Sequence, residues 1–570
     1  MTKRLIIKPK GDDTVIKHLS EVLSINSHLS NLLAQRGIKT FDEAQSFFRP
    51  SLTDLHDPFL MADMSKAVER LDAAIKKGEK ILIYGDYDVD GTTSVAMVYS
   101  FFKKYSETIG FYIPDRYSEG YGISKKGIDY AAANNYSLVI ALDCGIKAGD
   151  KIDYANQKRI DFIICDHHTP GDKIPNAYAV LDAKRPDCQY PDKNLSGCGV
   201  GFKLIQAYAN RNKIPFETVT EYIDLTAVSI ASDIVPVIGE NRILAYHGLK
   251  KLGENPIKGL KIIKRIAGIK EKEITVSDCV FKIGPRINAA GRIKSGSSAV
   301  ELLISVEDKP ATEFAKLIDG YNIERKLLDR HITHEALREI GNSIDLRNRK
   351  STVLFNKEWH KGVIGIVASR LTETYYKPTV ILTESNGFAT GSARSISDFN
   401  LYEAVEACSE LLENFGGHKF AAGLTLKLDN VNKFSDCFEK FVSEHITDEQ
   451  LNPLIEVDDE IDFSDIDRKF FNVIRQMAPF GPENMNPVFL TRHVFDTGNS
   501  RVVGSNKEHL KLEMVDNEGI VFEGIVFSPQ PEHIKHITEK KPFSVCYSID
   551  KNDFNGRSSL QLKVKEIIID

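Results

Sequence analysis

Four apolar residues, Ile81, Leu82, Ile83 and Tyr84, give way at once to aspartates at every second position, and this junction restricts the fold more than any other stretch. Residues 81–94 read ILIYGDYDVDGTTS. The apolar run has the character of a buried strand, and Gly91 opens an apolar helix pattern, so Asp86, Asp88 and Asp90 crowd one strand end. Like charges held that close are unfavourable unless a cation lies among them, and a bound divalent metal is the economical answer. An acidic surface turn is the alternative for this stretch taken alone. A calcium loop is excluded, because the twelfth position counted from Asp86 is Met97 and from Asp88 is Tyr99, where such a loop needs Glu.

The same texture recurs downstream. Residues 65–77 and 92–104 read as helices and 81–84, 109–113, 138–142, 161–165 and 177–181 as strands, an alternation that predicts a parallel sheet covered by helices on both faces. Chemistry-bearing residues follow the apolar runs: Asp143 after 138–142, Asp166, His167 and His168 after 161–165, and Asp233 after the helix-like run 225–231. In an open α/β sheet, sites form at the carboxyl ends of strands, so these residues are expected to converge. Taken singly, Asp143 or Asp233 is more often a cap or turn residue, and His167 and His168 could be solvated residues after a strand. Oxygen donors with one or two imidazoles suit manganese or magnesium.

A length of 570 residues suggests roughly three or four domains. The opening MTKRLIIKPKGDD has an apolar run of only Leu5 to Ile7, and no stretch approaches the roughly 18 apolar residues of a membrane span, so a cytoplasmic chain with no membrane partner is expected. The eight cysteines include no C-x-x-C pair, and neither zinc nor disulfides are expected. A net charge of −6 weighs against a simple DNA-coating protein, although basic residues gather in KGLKIIKRIAGIKEK, residues 258–272, which is either a binding patch or a solvated helix face. Residues 1–60 form a short helical preface, with helices at 27–36 and 40–48. Residues 299–344 have the spacing of long connecting helices. Residues 351–452 alternate again, with strands at 352–355 and 379–383 and helices at 364–374 and 401–412. After Pro453 short strands and turn sequences suggest a small barrel, in which Tyr547 and Phe554, near Lys551 and Arg557, are candidates to stack on bases.

GDYDVDGTTS, ALDCG, CDHHTP and ASDIVP, in this order and spacing, resemble the four motifs of the DHH phosphoesterase superfamily, and within it the RecJ branch of single-strand-specific exonucleases. KIGPRINAAGRI, WHKGVIGIVASRL, GSARS and FGGHKFAAGLTL resemble the same branch, so the likeness runs from about residue 60 to the C-terminus. It implies a DHH catalytic domain (61–298), connector helices (299–345), a DHH-associated substrate-binding domain (346–452) and an OB-fold (453–570). It implies two ions, Mn2+ or Mg2+, with Asp88 and Asp143 holding one, helped by Asp86, and Asp90, Asp143, His167 and Asp233 the other. Asp88, Asp90, Asp143, His167 and His168 form the implied catalytic set, His168 contacting the scissile phosphate or protonating the leaving oxygen and Asp166 orienting an imidazole.

In the second lobe, Gly416, Gly417 and His418 offer flexible backbone and an imidazole, and Ser392 and Arg394 a hydroxyl and a guanidinium fork, a combination suited to phosphate. The resemblance adds Arg116 around a terminal 5′ phosphate. Arg286 and Arg292 either line the DNA path or brace the lobes. The activity so implied is 5′ to 3′ hydrolysis of single-stranded DNA to mononucleotides in repair and recombination, beside a RecQ-type helicase and a single-strand-binding protein. A phosphodiesterase of oligoribonucleotides or cyclic dinucleotides, and a replication scaffold without metals, are the alternatives.

Overall fold

The computed structural model describes residues 3–554 and 557–569, and the side chains of all of these except 553, 554 and 557. Its first α/β unit is built as the alternation predicts. Helix α4 (Met64–Lys77) buries Met64, Ala67, Val68, Leu71 and Ala74 on one face and stops at Gly78, whose left-handed backbone (φ +66°) suits a residue without a Cβ. Strand β2 (Ile81–Gly85) is buried along its whole length, as is β4 (Leu138–Leu142), because helices cover both faces of the sheet. With β3 (Ile109–Tyr112), β5 (Asp161–Cys165) and β6 (Ala179–Leu181) they form a wholly parallel sheet ordered β3-β2-β4-β5-β6. The chain leaves β2 for β3 on one side and returns to β4 on the other, so the direction of winding switches between β2 and β4. A crevice opens at such a point, beyond the carboxyl ends of the strands.

Three helices set the floor of that crevice. They are α5 (Val89–Phe102), α8 (Gly197–Arg211) and the helix Ile223–Ser232, all nearly buried and packed on one another. Helix Asp308–Asn342, 35 residues and about 52 Å long at 1.5 Å per residue, runs from this lobe to the next. It is tied to the first lobe by Asp319, which accepts from Arg286, and to the second by Asp329, which accepts both arms of Arg370 at 2.8 Å.

The second lobe is a five-stranded sheet in the order Leu412–His418, Ala421–Lys427, Phe388–Arg394, Thr379–Ser385, Thr352–Phe355. One expectation is corrected here: the helix over 401–412 is only Leu401–Glu406, and the glycine-bearing run beyond it is a strand. In the C-terminal region seven strands form one sheet, and the pairing of Phe489–Asp496 with His509–Val515 closes it into a barrel.

The N-terminal residues do not stand apart as a preface. Beyond the two expected helices, α2 (Ser27–Gln35) and α3 (Phe41–Phe48), there are a strand β1 (Arg4–Ile7), paired in parallel with Leu454–Val457, and a helix α1 (Asp13–Leu23). Leu19, Leu29, Leu32 and Leu33 share one apolar cluster with the barrel residues Phe489, Val545 and Tyr547. Arg242 of the first lobe joins the three parts, donating to the carbonyls of Phe47, Ala478 and Pro479.

His28 gives this docking a pH dependence. Its Nδ1 lies 2.9 Å from Asp459 Oδ2, and this hydrogen bond lifts the imidazole above its ordinary range, against the opposing effect of burial. The folded state therefore holds the proton more tightly, so the stabilisation is fully present below about pH 6.5 and is lost as pH rises through the raised value. His28→Gln should lower the urea midpoint relative to wild type at about pH 5.5, and the gap should close by about pH 9. A gap unchanged over that range would contradict the assignment.

Candidate metal centre and phosphate cleft

The turn after β2 does not continue as a strand. Helix α5 begins at Val89, which gives the three aspartates different environments. Asp88 is its N-cap, accepting from Gly91 N at 2.9 Å, while Asp90 lies in the first turn. Asp86 stays behind them, fully buried, its Oδ1 accepting from Tyr87 N and its Oδ2 from Gly122 N, both at 2.6 Å. Burial and then the Asp88 charge push its carboxyl up to about 8. Asp86 thereby also holds the 119–122 loop against the strand end, and each of its oxygens keeps a second lone pair for a cation.

Asp90 is fixed by the start of α8, with Oδ2 accepting from Gly197 N and Oδ1 from Cys198 N and Ser229 Oγ, each at 2.7 Å. These bonds set its orientation and bring it under β4. Asp143, the residue after β4, has a left-handed backbone (φ +60°), a conformation that costs a non-glycine residue energy and is found where a site demands it. Gly197 makes room for it: a Cβ there would lie 2.7 Å from Asp143 Cβ.

His167 connects the set. Its Nε2 lies 3.2 Å from Asp143 Oδ1, 3.5 Å from Asp233 Oδ2 and 3.7 Å from Asp90 Oδ2. Both ring nitrogens of His167 and both carboxylate oxygens of Asp143 are buried without a hydrogen-bond partner. Unsatisfied buried polar atoms are costly, and His167 Nε2 facing the Asp143 carboxylate offers a cation one nitrogen and one oxygen donor. Burial lowers the affinity of His167 for a proton and so keeps a lone pair available. It raises Asp143 well above the carboxylate range, with the charges of Asp90 and Asp88 adding to the effect. Two overlapping groups have donor atoms within 4.8 Å of one another: Asp90, His167 and Asp233, and Asp143, His167 and His168. Asp88 lines the same hollow as Asp90 and Asp233.

His168 differs from its neighbour. Its Nδ1 bonds Asp166 Oδ1 at 2.7 Å; burial works against its proton, but this bond and the Asp166 charge hold the imidazole at about 9. Asp166 is also buried, yet the His168 bond and backbone amides of Ile146, His167 and His168 bring it down to about 2. The fixed Asp166 carboxylate thus favours a proton on His168.

Across the hollow lie arginines with few acids. Arg116 and Arg292 line it, Arg116 lying over the Tyr87 ring at 4.1 Å and bonding Gly291 O. Burial, with Arg116, Arg394 and Arg325 nearby, drives Arg292 down to about 9. Arg394 donates to Ser392 Oγ at 2.9 Å, and Gly365 leaves room for both, since a Cβ there would meet them at 2.9 to 3.1 Å. Gathered cations of this kind await an anion. Gly416 and Gly417 lie in a strand rather than a flexible loop; a Cβ at Gly417 (φ +151°) would strike Ala421 O at 2.3 Å. His418 ends that strand, and the Arg394 charge acts on its ring. Arg286 braces, donating to Asp319 and to Lys282 O, and Arg292 Nη1 reaches Gly362 O of the second lobe.

Tyr547 is corrected. It is wholly buried in the barrel, its hydroxyl paired with Thr491 at 2.7 Å, and no base can stack on it. The Phe554 side chain lies outside the described residues. Residues overlooked in the sequence include Tyr121, Ser232 and Asn288, which line the hollow; Ser232 Oγ and Asn288 Oδ1 are buried there without partners. Ser232 and Asn288 stand inside the motifs ASDIVP and GPRINAAGR, beside charged residues that carry a stronger chemical signal.

Comparison with known proteins accounts for all three parts. Residues 80–230 match the DHH family, N-terminal domain, 348–444 the DHHA1 domain and 457–566 the RecJ OB domain. The single-stranded-DNA-specific exonuclease RecJ of Bacillus subtilis (strain 168) is 35% identical over 563 residues, 98% of this chain and 70% of that protein. The chain belongs to the RecJ family. RecJ of Escherichia coli (strain K12) is 30% identical over 95% of each chain. The crystal structure of Thermus thermophilus RecJ in complex with Mn2+ has the same fold, with a TM-score of 0.85 over all of this chain and 80% of that one at 23% identity. A structure of exonuclease RecJ bound to manganese, 29% identical, matches 70% of this chain and 98% of its own with a TM-score of 0.60. Among the described residues, no helix is long and apolar enough to cross a membrane.

Proposed function

We propose that this chain is a metal-dependent exonuclease that takes single-stranded DNA from its 5′ end and releases 5′-mononucleotides in DNA repair and recombination. The observation that carries the reading is the unpartnered, buried carboxylate of Asp143 with His167 Nε2 3.2 Å from it. The relatives are named for single-strand-specific exonuclease activity, and RecJ structures hold Mn2+ or Mg2+. Asp90, Asp143, His167 and Asp233 would hold one such cation, and Asp88 with Asp143 a second. When bound, a pair of divalent cations activates water and offsets charge on the reacting phosphodiester.

The chain's own residues do the rest. Asp90 is locked by the start of α8, so the donors are set before substrate arrives. His168, its Nδ1 held by Asp166, presents a protonated Nε2 to the scissile phosphate or the departing oxygen. Arg116, Arg394, Ser392 and His418 form the seat of the terminal 5′ phosphate, which sets direction. The chain would work in the cytoplasm, where a RecQ-type helicase would supply single strands and a single-strand-binding protein would cover them. A dinucleotide phosphodiesterase has no use for the barrel, and a scaffold has no use for the intact donors.

With Mn2+, a strand labelled at its 5′ end should yield labelled mononucleotide first, and a blunt duplex should persist. Label released first from the 3′ end would overturn the reading. Arg394→Ala should erase most of the preference for a 5′-phosphorylated over a 5′-hydroxyl strand, a loss of about 10- to 100-fold in kcat/KM ratio. A preference left intact would remove Arg394 from the phosphate seat.

A further inference from the structure

A second and larger hollow, about 710 Å3, lies on the other side of Tyr121 and His168 from the arginines. It opens between helix α6 (Lys125–Ala133) and helix α7 (Gly149–Gln157), whose first turns stand at its edge, and Lys125, Lys126, Lys147 and Lys151 line it. Its acids are already engaged. Glu119 accepts from Tyr112 Oη, Asp115 N and Ser124 Oγ, and Asp166 from three backbone amides and His168. Lys151 bonds Asp150, and Lys126 stands 3.7 Å from Glu119. Lys125 and Lys147, by contrast, have no ion-pair partner among the described residues; Lys125 lies over the face of Tyr154 at 5.5 Å and acts on Asp129 only at longer range. Two ammonium groups without an ion pair thus edge a cavity whose carboxylates are occupied.

The rest of the lining is mixed: Ser118, Ser124 and His168 stand among Ile123, Cys144 and Ile146, which are nearly buried, so the half-exposed ring of Tyr121 is its main apolar surface, and the volume falls within the roughly 300–1,000 Å3 of small-molecule sites. An inorganic anion would leave that surface unused, whereas a nucleoside attached to a phosphate would cover it. We propose that this hollow is a second nucleotide site, taking a nucleoside 5′-monophosphate whose phosphate answers Lys125 and Lys147 and whose nucleoside lies on the exposed ring of Tyr121. Tyr121 is common to this hollow and the cleft, and its hydroxyl donates to Asp143 O at 3.1 Å, so an occupant abuts the support of the metal centre. The inference does not require the exonuclease reading, since it concerns binding alone.

The test is calorimetric titration of the full chain in Mn2+ buffer with 2′-deoxyadenosine 5′-monophosphate. Two molecules should bind per chain, one at the terminal-phosphate seat and one here. The double substitution Lys125→Gln and Lys147→Gln should weaken one of them by at least about tenfold and leave the other, while Arg394→Ala should do the reverse. Both lysines are exposed, so the variant should fold, and an unchanged circular dichroism spectrum checks it. Deoxyadenosine should not bind in the second site, and inorganic phosphate should bind there more weakly than the nucleotide. A single nucleotide per chain indifferent to the lysines, or none, overturns the proposal; inorganic phosphate binding as tightly as the nucleotide overturns its nucleoside part. Loss of the lysine-dependent site with no effect of Arg394→Ala would count against the phosphate seat alone.

Discussion

Asp143→Asn is expected to cut strand hydrolysis by at least about 10³-fold, because several kcal/mol of transition-state stabilisation depend on the cations that this carboxylate is placed to share. Asparagine keeps the shape and fills the space that Gly197 leaves, so the loss would not come from a cavity. The folding control is informative in itself. Asp143 is buried among Asp88, Asp90 and Asp233, and its ionised form is disfavoured by burial and by all three. Removing that charge should leave the metal-free protein at least as stable as wild type, while abolishing the rise in melting temperature that Mn2+ gives the wild type. A variant that unfolds at lower temperature without metal would mean that Asp143 serves packing rather than ligation.

His168→Gln is expected to lower kcat by about 10²- to 10⁴-fold, the usual worth of a positioned acid. Glutamine can still reach Asp166 but carries no transferable proton. A strand whose scissile linkage has sulfur in place of the 3′ oxygen separates the two roles of His168, because a thiolate departs without being protonated. If Nε2 protonates the leaving group, the variant's defect should largely vanish on that strand; if it only contacts the phosphate, the defect should persist with both linkages. Asp166→Asn should produce a smaller loss of the same kind, since it removes the carboxylate that keeps the imidazole charged and turned.

The parallel sheet was legible because its strands are buried on both faces and so appear as unbroken apolar runs. The apolar runs 138–142 and 161–165 predict strands and are β4 and β5, and the places of Asp143 and His167 just beyond them follow. Convergence was legible too, since strand ends meet at the switch point whatever the distance along the chain. The different fates of Asp86, Asp88 and Asp90 were not, because alternation assumes an extended chain and α5 begins between the second and third. Tyr547 misled for a related reason: a closed barrel has an inside, and an aromatic residue at alternate spacing in a strand points inward as readily as outward. The strand Leu412–His418 was hidden by its glycines, which weaken a strand pattern but here allow close approach to Ala421 and Ala422. Docking of the N-terminal helices on the barrel joins Leu19, Leu29 and Leu33 to residues more than 400 positions away, a pairing that no local periodicity encodes.

The central claim is that Asp88, Asp90, Asp143, His167 and Asp233 form one two-cation site. Anomalous diffraction at the manganese edge from crystals grown in Mn2+ tests it most directly. Two peaks should stand in the crevice between β2 and β4, both next to Asp143 and one of them next to His167, and neither should survive Asp143→Asn at full height. Peaks elsewhere in the chain, or a crevice empty of manganese while the crystals hold it at other positions, would contradict the account.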